Sequence, residues 1–226
     1  MQSSSYKPLP AVKQWLVGAI GRPQAFALMG ALALGTAFHS PALAASETAI
    51  FAGGCFWCVE SDFEKVKGVT SAVSGYTGGH TKDVTYKKVT AGGTGHREAV
   101  KITFDPDVVS YGTLVDIFWR SVNPTDAGGQ FCDRGESYST AIYTTSKKQT
   151  NIAQQSKERI DASGILKQPI VTPIKTAGAF YNAEDYHQDY HNKSPLKYKF
   201  YRYRCGRDQE VRALWGNEAH AGIPTN

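Results

Sequence analysis

No apolar run near the amino terminus of this 226-residue chain reaches the roughly 20 residues a membrane-spanning helix needs. Ala25 to Phe38 is apolar but too short. Acidic residues are missing altogether from positions 1–44, where Lys7, Lys13 and Arg22 precede that run. The run ends in Ser40-Pro41-Ala42-Leu43-Ala44-Ala45, whose Ala42 and Ala44 supply an A-x-A cleavage pattern, so the segment reads as a secretory signal peptide removed after Ala44. Arg22 stands alone, which excludes a twin-arginine signal; an uncleaved amphipathic anchor that tethers the chain to the membrane is the alternative. Cleavage leaves residues 45–226, and losing those three cations lowers the formal charge from +5 to +2. Much of the basicity is therefore targeting, and the expected location is exported, periplasmic.

Repeats, low-complexity tracts and linkers are also absent, which leaves one domain long enough to bury a real core. There are four cysteines, Cys55, Cys58, Cys132 and Cys205, and all lie beyond the cleavage point. An exported compartment permits disulfides, but four cysteines allow three complete pairings and spacing does not choose among them.

Strand-like and helix-like segments alternate along the domain. Thr48 to Ala52 is an apolar strand, then Gly53-Gly54 turns the chain and Val59 to Lys67 is helical. Val69 to Gly75 predicts a strand, Gly75 to His80 a glycine-rich loop, and Val84 to Val89 a short turn or helix closed by Gly92-Gly93. Arg97 to Phe104 alternates polar and apolar residues as a strand does, and Ser110 caps an amphipathic helix reaching about Val122. Asn123 to Tyr138 is too long for an idle connection and reads as functional. Beyond it come a strand, Ser139 to Thr144, a helix, Ser146 to Ser163 ended by Gly164, and a strand, Pro169 to Ile174. A short aromatic helix, Ala183 to Asn192, leads into a basic, aromatic C-terminal tail, about 196–226. The interleaving lacks a clean βαβ cadence and predicts an α+β fold, a two-layer sandwich with a central mixed β-sheet and flanking helices.

Gly53 to Cys58 is the chemically richest stretch. It places Cys55 at a helix N-terminus, where unpaired N–H groups and the macrodipole favour a thiolate. Cys58, three residues on, shares that helical face and can reach Cys55. A structural pair, or a buried small hydrophobe, is the plain alternative.

Several ordered blocks resemble one family, the peptide methionine sulfoxide reductases of the A type. They are Gly54-Cys55-Phe56-Trp57, Val73-Ser74-Gly75-Tyr76-Thr77-Gly78-Gly79, Tyr86 with Val89, Thr94-Gly95-His96 with Glu98, Asp133 with Gly135 and Tyr138, and Ala183-Glu184-Asp185-Tyr186-His187-Gln188. The resemblance implies that Cys55 attacks the sulfoxide sulfur of methionine-S-sulfoxide, free or in proteins, releasing methionine and becoming a sulfenic acid. It implies that Phe56 and Trp57 hold the substrate methyl group and that Glu98 protonates the sulfoxide oxygen. Tyr86 and Tyr138 would be hydrogen-bonding partners, with Asp133 a second carboxylate nearby. No bound cofactor is implied, and the expected electron donor is thioredoxin or, in an exported compartment, a thioredoxin-like protein. This chain departs from the family pattern at Val122-Asn123-Pro124, across Thr125 to Phe131, and at Ser139, where an arginine is common.

The chemistry agrees. A sulfoxide oxygen leaves poorly unless protonated, and a carboxyl group buried among aromatics keeps its proton at neutral pH. Glu98 at the start of a strand suits such burial, although a surface pairing with Arg97 or Lys101 is open to it.

The sulfenic acid needs a second thiol. Cys205, beside Gly206 in a tail that reads as mobile, is the first choice, Cys58 the second and Cys132 the third; Cys132 can instead pair with Cys205 as a relay or staple. Other readings carry less. Glu184, His187 and His191 fall at i, i+3 and i+7, but interleaved tyrosines argue for a polar helix over a metal site. The basic tail is better explained as a solvated face than as a nucleic-acid surface. A thioredoxin-like disulfide oxidoreductase would use Cys55 and Cys58 as a CxxC facing Thr172-Pro173, but Trp57 lies inside the motif rather than before it. A binding module stapled by two disulfides is the remaining class. A monomer is expected.

Overall fold

A computed structural model describes residues 45–224. The segment read as a signal peptide lies outside the described residues. Eight strands form: β1 Glu47–Ala52, β2 Val69–Thr77, β3 Arg97–Phe104, β4 Gly129–Gln130, β5 Asp133–Arg134, β6 Ala141–Thr144, β7 Ile174–Thr176 and β8 Phe180–Asn182. The helices are α1 Phe56–Phe63, α2 Tyr86–Ala91, α3 Tyr111–Trp119, α4 Lys147–Ser163, α5 Tyr190–Lys193, α6 Pro195–Cys205 and α7 Arg207–Trp215.

Six strands make one sheet in the order β7-β6-β1-β3-β2-β8, and β4 pairs with β5 in a small separate hairpin. Only β6 and β7 run parallel, so the main sheet is mixed, as the α+β reading expects. Period-two alternation sorts its two faces. Val100, Ile102 and Phe104 of β3 join Phe51 of β1 in the main core beneath α1 and α3, with Phe56, Phe63, Leu114 and Phe118. Ile50 and Ala52, one residue out of phase, join Ala99, Ala141 and Tyr143 on the other face. Glu98 is in phase with Val100, so alternation alone turns it toward the helices and the core.

Local chemistry sets several ends as expected. The Ser110 and Ser146 hydroxyls accept from the N–H groups of Thr113 and Gln149, capping α3 and α4, and Gly164 closes α4 in the left-handed region.

Four segments differ from expectation. The strand β2 continues through Thr77 instead of looping after Gly75, because Gly75 to Thr77 pair with β3 on one side and β8 on the other. The predicted strand Pro169–Ile174 is displaced to Ile174–Thr176, since the Val171 and Thr172 N–H groups are taken by the Pro124 carbonyl. Ala183 to Asn192 is not one helix. Gln188 accepts from the Ser74 N–H and donates to the Ser74 and Ala183 carbonyls, fixing turns until α5 begins at Tyr190. The tail is two packed helices, not a mobile strand of chain. Arg202 of α6 grips the buried Asp62 of α1 (2.8 Å) and Asp208 of α7 (2.7 Å), and Trp215 donates to the Val122 carbonyl at 3.0 Å.

Candidate active site

The chain leaves the centre of the sheet at Ala52 and turns through Gly53-Gly54 into α1. Gly54 has φ +80°, and a side chain there would meet Gln130 Cβ at 2.6 Å, so only glycine fits the turn. Cys55 is the N-cap residue of α1, and its side chain makes no capping bond. The next N–H, that of Phe56, instead donates to Glu98 Oε2 at 3.0 Å. The helix start therefore presents its dipole to a carboxyl group as well as to a sulfur.

All the residues read from the sequence as nucleophile, acid, methyl pocket and hydroxyl partners line a single cavity of about 50 Å3: Cys55, Phe56, Trp57, Tyr86, Glu98, Asp133 and Tyr138. Tyr201 of α6 is the eighth. Such a space admits the end of a side chain. Phe56 and Trp57 are adjacent walls with ring centres 6.5 Å apart, and Tyr86 and Tyr138 line the same cavity. Burial holds both phenols above their ordinary value, so they remain donors.

Glu98 is 2% exposed. Burial pushes its carboxyl up to about 8, against the pull of the Phe56 N–H and with a further push from Asp133. The surface pairing with Arg97 or Lys101 does not occur: Arg97 donates to Ser139 Oγ and the Tyr143 hydroxyl, and Lys101 lies over Phe180. Asp133 is also raised by burial, while the Tyr201 hydroxyl it accepts from and Arg207 pull it back.

Cys55 and Cys58 are both free and buried. The expectation of a lowered Cys55 does not hold for the site at rest. Burial pushes that thiol up, Cys58 and Glu98 add to the effect, and a hydrogen bond with Tyr201 opposes it. Cys58 is held lower by its hydrogen bond with Cys55 and by Arg207 and Arg202. Burial is the largest of these influences and outweighs the dipole.

Cys205, at the end of α6, is bonded to Cys132, with their Cα atoms 4.8 Å apart. The Cys205 sulfur lies 3.7 Å from Asp133 Oδ2. Tyr201 donates to Asp133 and packs beside Cys55 in the same cavity, so one side chain lies between the nucleophile and the disulfide. Cys132 is exposed and Cys205 nearly buried.

Sequence reasoning gave no role beside Cys55 to four contributors. Tyr201 sat in the aromatic tail without a partner to identify it. Arg207, buried and donating to the Gly53 and Ser121 carbonyls at 3.0 Å each, brings positive charge to a site where Ser139 had removed an expected arginine. His187 accepts from the Trp57 indole at 3.1 Å, and Tyr190 stacks on the same indole with ring centres 3.9 Å apart. Glu184, His187 and His191 do not converge: Glu184 accepts from Tyr76 and the Tyr86 N–H, while His191 faces Glu64. Pro173 gives its carbonyl to Ile142 at the sheet edge and has no part in facing Cys55.

Comparisons with known proteins point one way. The family model described as peptide methionine sulfoxide reductase matches residues 47–219. The peptide methionine sulfoxide reductase MsrA of Bacillus licheniformis is 52% identical over 172 residues, spanning 76% of this chain and 95% of that protein. MsrA 2 of Rhizobium meliloti is 50% identical over 184 residues, 81% of this chain and 91% of that one. Among solved structures, reduced Mxr1 from Saccharomyces cerevisiae superposes with TM-score 0.63 at 29% identity, covering 66% of this chain and 86% of its own. Methionine sulfoxide reductase A of Corynebacterium diphtheriae gives 0.60 at 32% identity, covering 67% and 76%.

Proposed function

This chain belongs to the peptide methionine sulfoxide reductase family, and from that premise we propose how its own residues carry out the reaction. The reaction is the thiol-dependent reduction of methionine-S-sulfoxide to methionine. The observation that carries the assignment of roles is the buried Glu98 carboxyl group accepting the Phe56 N–H at the helix start that holds Cys55.

The sulfoxide methyl enters between Phe56 and Trp57, and the oxygen points at Glu98 with the Tyr86 and Tyr138 hydroxyls beside it. Glu98 gives its proton to that oxygen as the Cys55 sulfur attacks the substrate sulfur, and the thiol proton replaces the one given. Oxygen passes to Cys55, methionine leaves, and Cys55 becomes a sulfenic acid. Holding Cys55 as a buried thiol until substrate arrives keeps it from stray oxidation; the charge it needs develops only as the sulfoxide is protonated.

Cys205 then attacks the sulfenic sulfur, water leaves, and a Cys55–Cys205 disulfide forms. Cys132 attacks the Cys205 sulfur next, freeing Cys55 as a thiol and leaving the Cys132–Cys205 disulfide that the structure contains. A thioredoxin or thioredoxin-like dithiol reduces that bond through the exposed Cys132 sulfur, becoming a disulfide itself. Contact between Cys55 and Cys58 favours a second route, in which Cys58 resolves first.

The test is single-turnover reduction of the two separated sulfoxide epimers by the fully reduced enzyme, with Cys55→Ser as the blank and mass spectrometry of the product thiols. Cys205→Ser should yield methionine once, from the S epimer, and then stop. If that variant still closes an intramolecular disulfide at full yield, the resolving thiol is Cys58 or Cys132, whichever peptide mapping finds joined to Cys55.

Export is part of the same reading. The A-x-A pattern and the acid-free first 44 residues support cleavage after Ala44 and a single catalytic domain from Ala45 onward. N-terminal sequencing of protein recovered from the periplasm tests it, and light scattering of that protein tests the monomer.

A further inference from the structure

Helix α6 carries two opposed faces. Tyr198, Arg202 and Cys205, spaced four and three apart, turn inward. On the opposite side Leu196, Phe200 and Tyr203 form a stripe at the same spacing, exposed 83%, 68% and 83%. Single apolar residues on a surface are ordinary, but three in register on one helix mark a contact surface. Exposed Lys199 lies on one flank of the stripe, and exposed Lys197 and Arg204 on the other. No residue of α6 is acidic.

A groove of about 450 Å3 opens beside this stripe, between α6 and α7. Lys199, Tyr203, Gln209 and Arg212 line it. Its one carboxylate, Asp208, is already held by Arg202 and His220. Among the described residues neither Lys199 nor Arg212 makes a salt bridge, so the groove offers two uncompensated cations.

We propose that the outer face of α6 and its groove dock on an anionic phospholipid surface. Leu196, Phe200 and Tyr203 enter the boundary between headgroups and acyl chains, Lys199 and Arg212 take a headgroup phosphate, and Lys197 and Arg204 lie along the charged plane. Exposed apolar side chains flanked on both sides by cations complement an anionic interface, the apolar groups by burial and the cations by charge. The reductant has no need of this face, because the disulfide it must reach lies on the other side of α6.

The experiment is amine-acylation footprinting of the full chain, read by mass spectrometry, with phosphatidylglycerol vesicles, with phosphatidylcholine vesicles, and with a thioredoxin-like protein. Labelling of Lys197 and Lys199 should fall several-fold with the anionic vesicles only, while exposed Lys147 and Lys148 on α4 keep their reactivity. Leu196→Ser/Phe200→Ser should abolish the protection and leave reduction of free methionine sulfoxide unchanged. Lys199→Gln/Arg212→Gln should weaken vesicle partitioning about 30-fold, each cation contributing about 1 kcal/mol beside an anionic surface. Unchanged labelling, an equal fall at Lys147 and Lys148, or protection by the protein alone overturns the proposal; the last assigns the face to a protein partner.

Discussion

Replacing Glu98 by glutamine separates the acid from its shape. The amide accepts from the Phe56 N–H as the carboxyl does, but it has no proton to give. In the folded chain the carboxyl stands at about 8 instead of the ordinary 4.5, chiefly through burial, which disfavours the ionised form by about 5 kcal/mol. At pH 7 about nine in ten molecules therefore hold the proton. Rapid-quench single turnover of the S sulfoxide should show a rate that falls above about pH 8, about tenfold per pH unit. Glu98→Gln should be about 100- to 10,000-fold slower and lose that break. Stability follows the same proton. From pH 4.5 to about 8 the folded chain keeps a proton that the unfolded chain releases, so wild-type stability declines with rising pH. The variant lacks that decline and should gain on wild type by up to about 5 kcal/mol across this window in urea unfolding. An alkaline break that survives in Glu98→Gln, together with a flat stability difference, would refute the buried-acid argument.

Arg202→Ala should cost about 3–5 kcal/mol in urea unfolding, because it leaves the buried Asp62 carboxylate without its partner. Opening the Cys132–Cys205 disulfide by Cys132→Ser frees a loop with a sequence separation of 73 and should cost about 4 kcal/mol. Equal unfolding midpoints for Cys132→Ser and wild type would contradict that. His187→Ala releases the Trp57 indole and should lower kcat/KM about 10- to 100-fold, with partial recovery in His187→Asn, whose side-chain oxygen can accept the same N–H.

Much of this molecule is legible where short-range chemistry decides. The alternation of Arg97 to Phe104 makes β3 and also turns Glu98 into the core, so the burial of the acid follows from a two-residue period. Hydroxyl caps at Ser110 and Ser146, a left-handed glycine at Gly164 and the turn before Cys55 are equally local. The blocks from Gly54 to Gln188 carry the family, and seven of the residues named from them surround one cavity.

Where partners lie far apart in the chain, local propensity loses. Ala183 to Asn192 reads as an aromatic helix, yet Gln188 finds the edge of β2 at Ser74, and Glu60 accepts from the Asp189 N–H at 2.8 Å. Those bonds to β2 and α1 hold Asp189 at φ +55°, which no helix allows. The tail reads as mobile because its anchors, Asp62 for Arg202 and Val122 for Trp215, are distant.

The resemblance carried by the sequence named Cys55, Glu98, Phe56 and Trp57 for one site, and the two-residue period of β3 by itself buries Glu98. Only the tertiary structure decided that Cys205 meets Cys132, that Tyr201 and Arg207 belong to the site, and that Cys55 rests as a thiol. Proximity and burial are properties of the whole packed chain, and a sulfur's charge depends on what surrounds it in space rather than on what precedes it along the backbone.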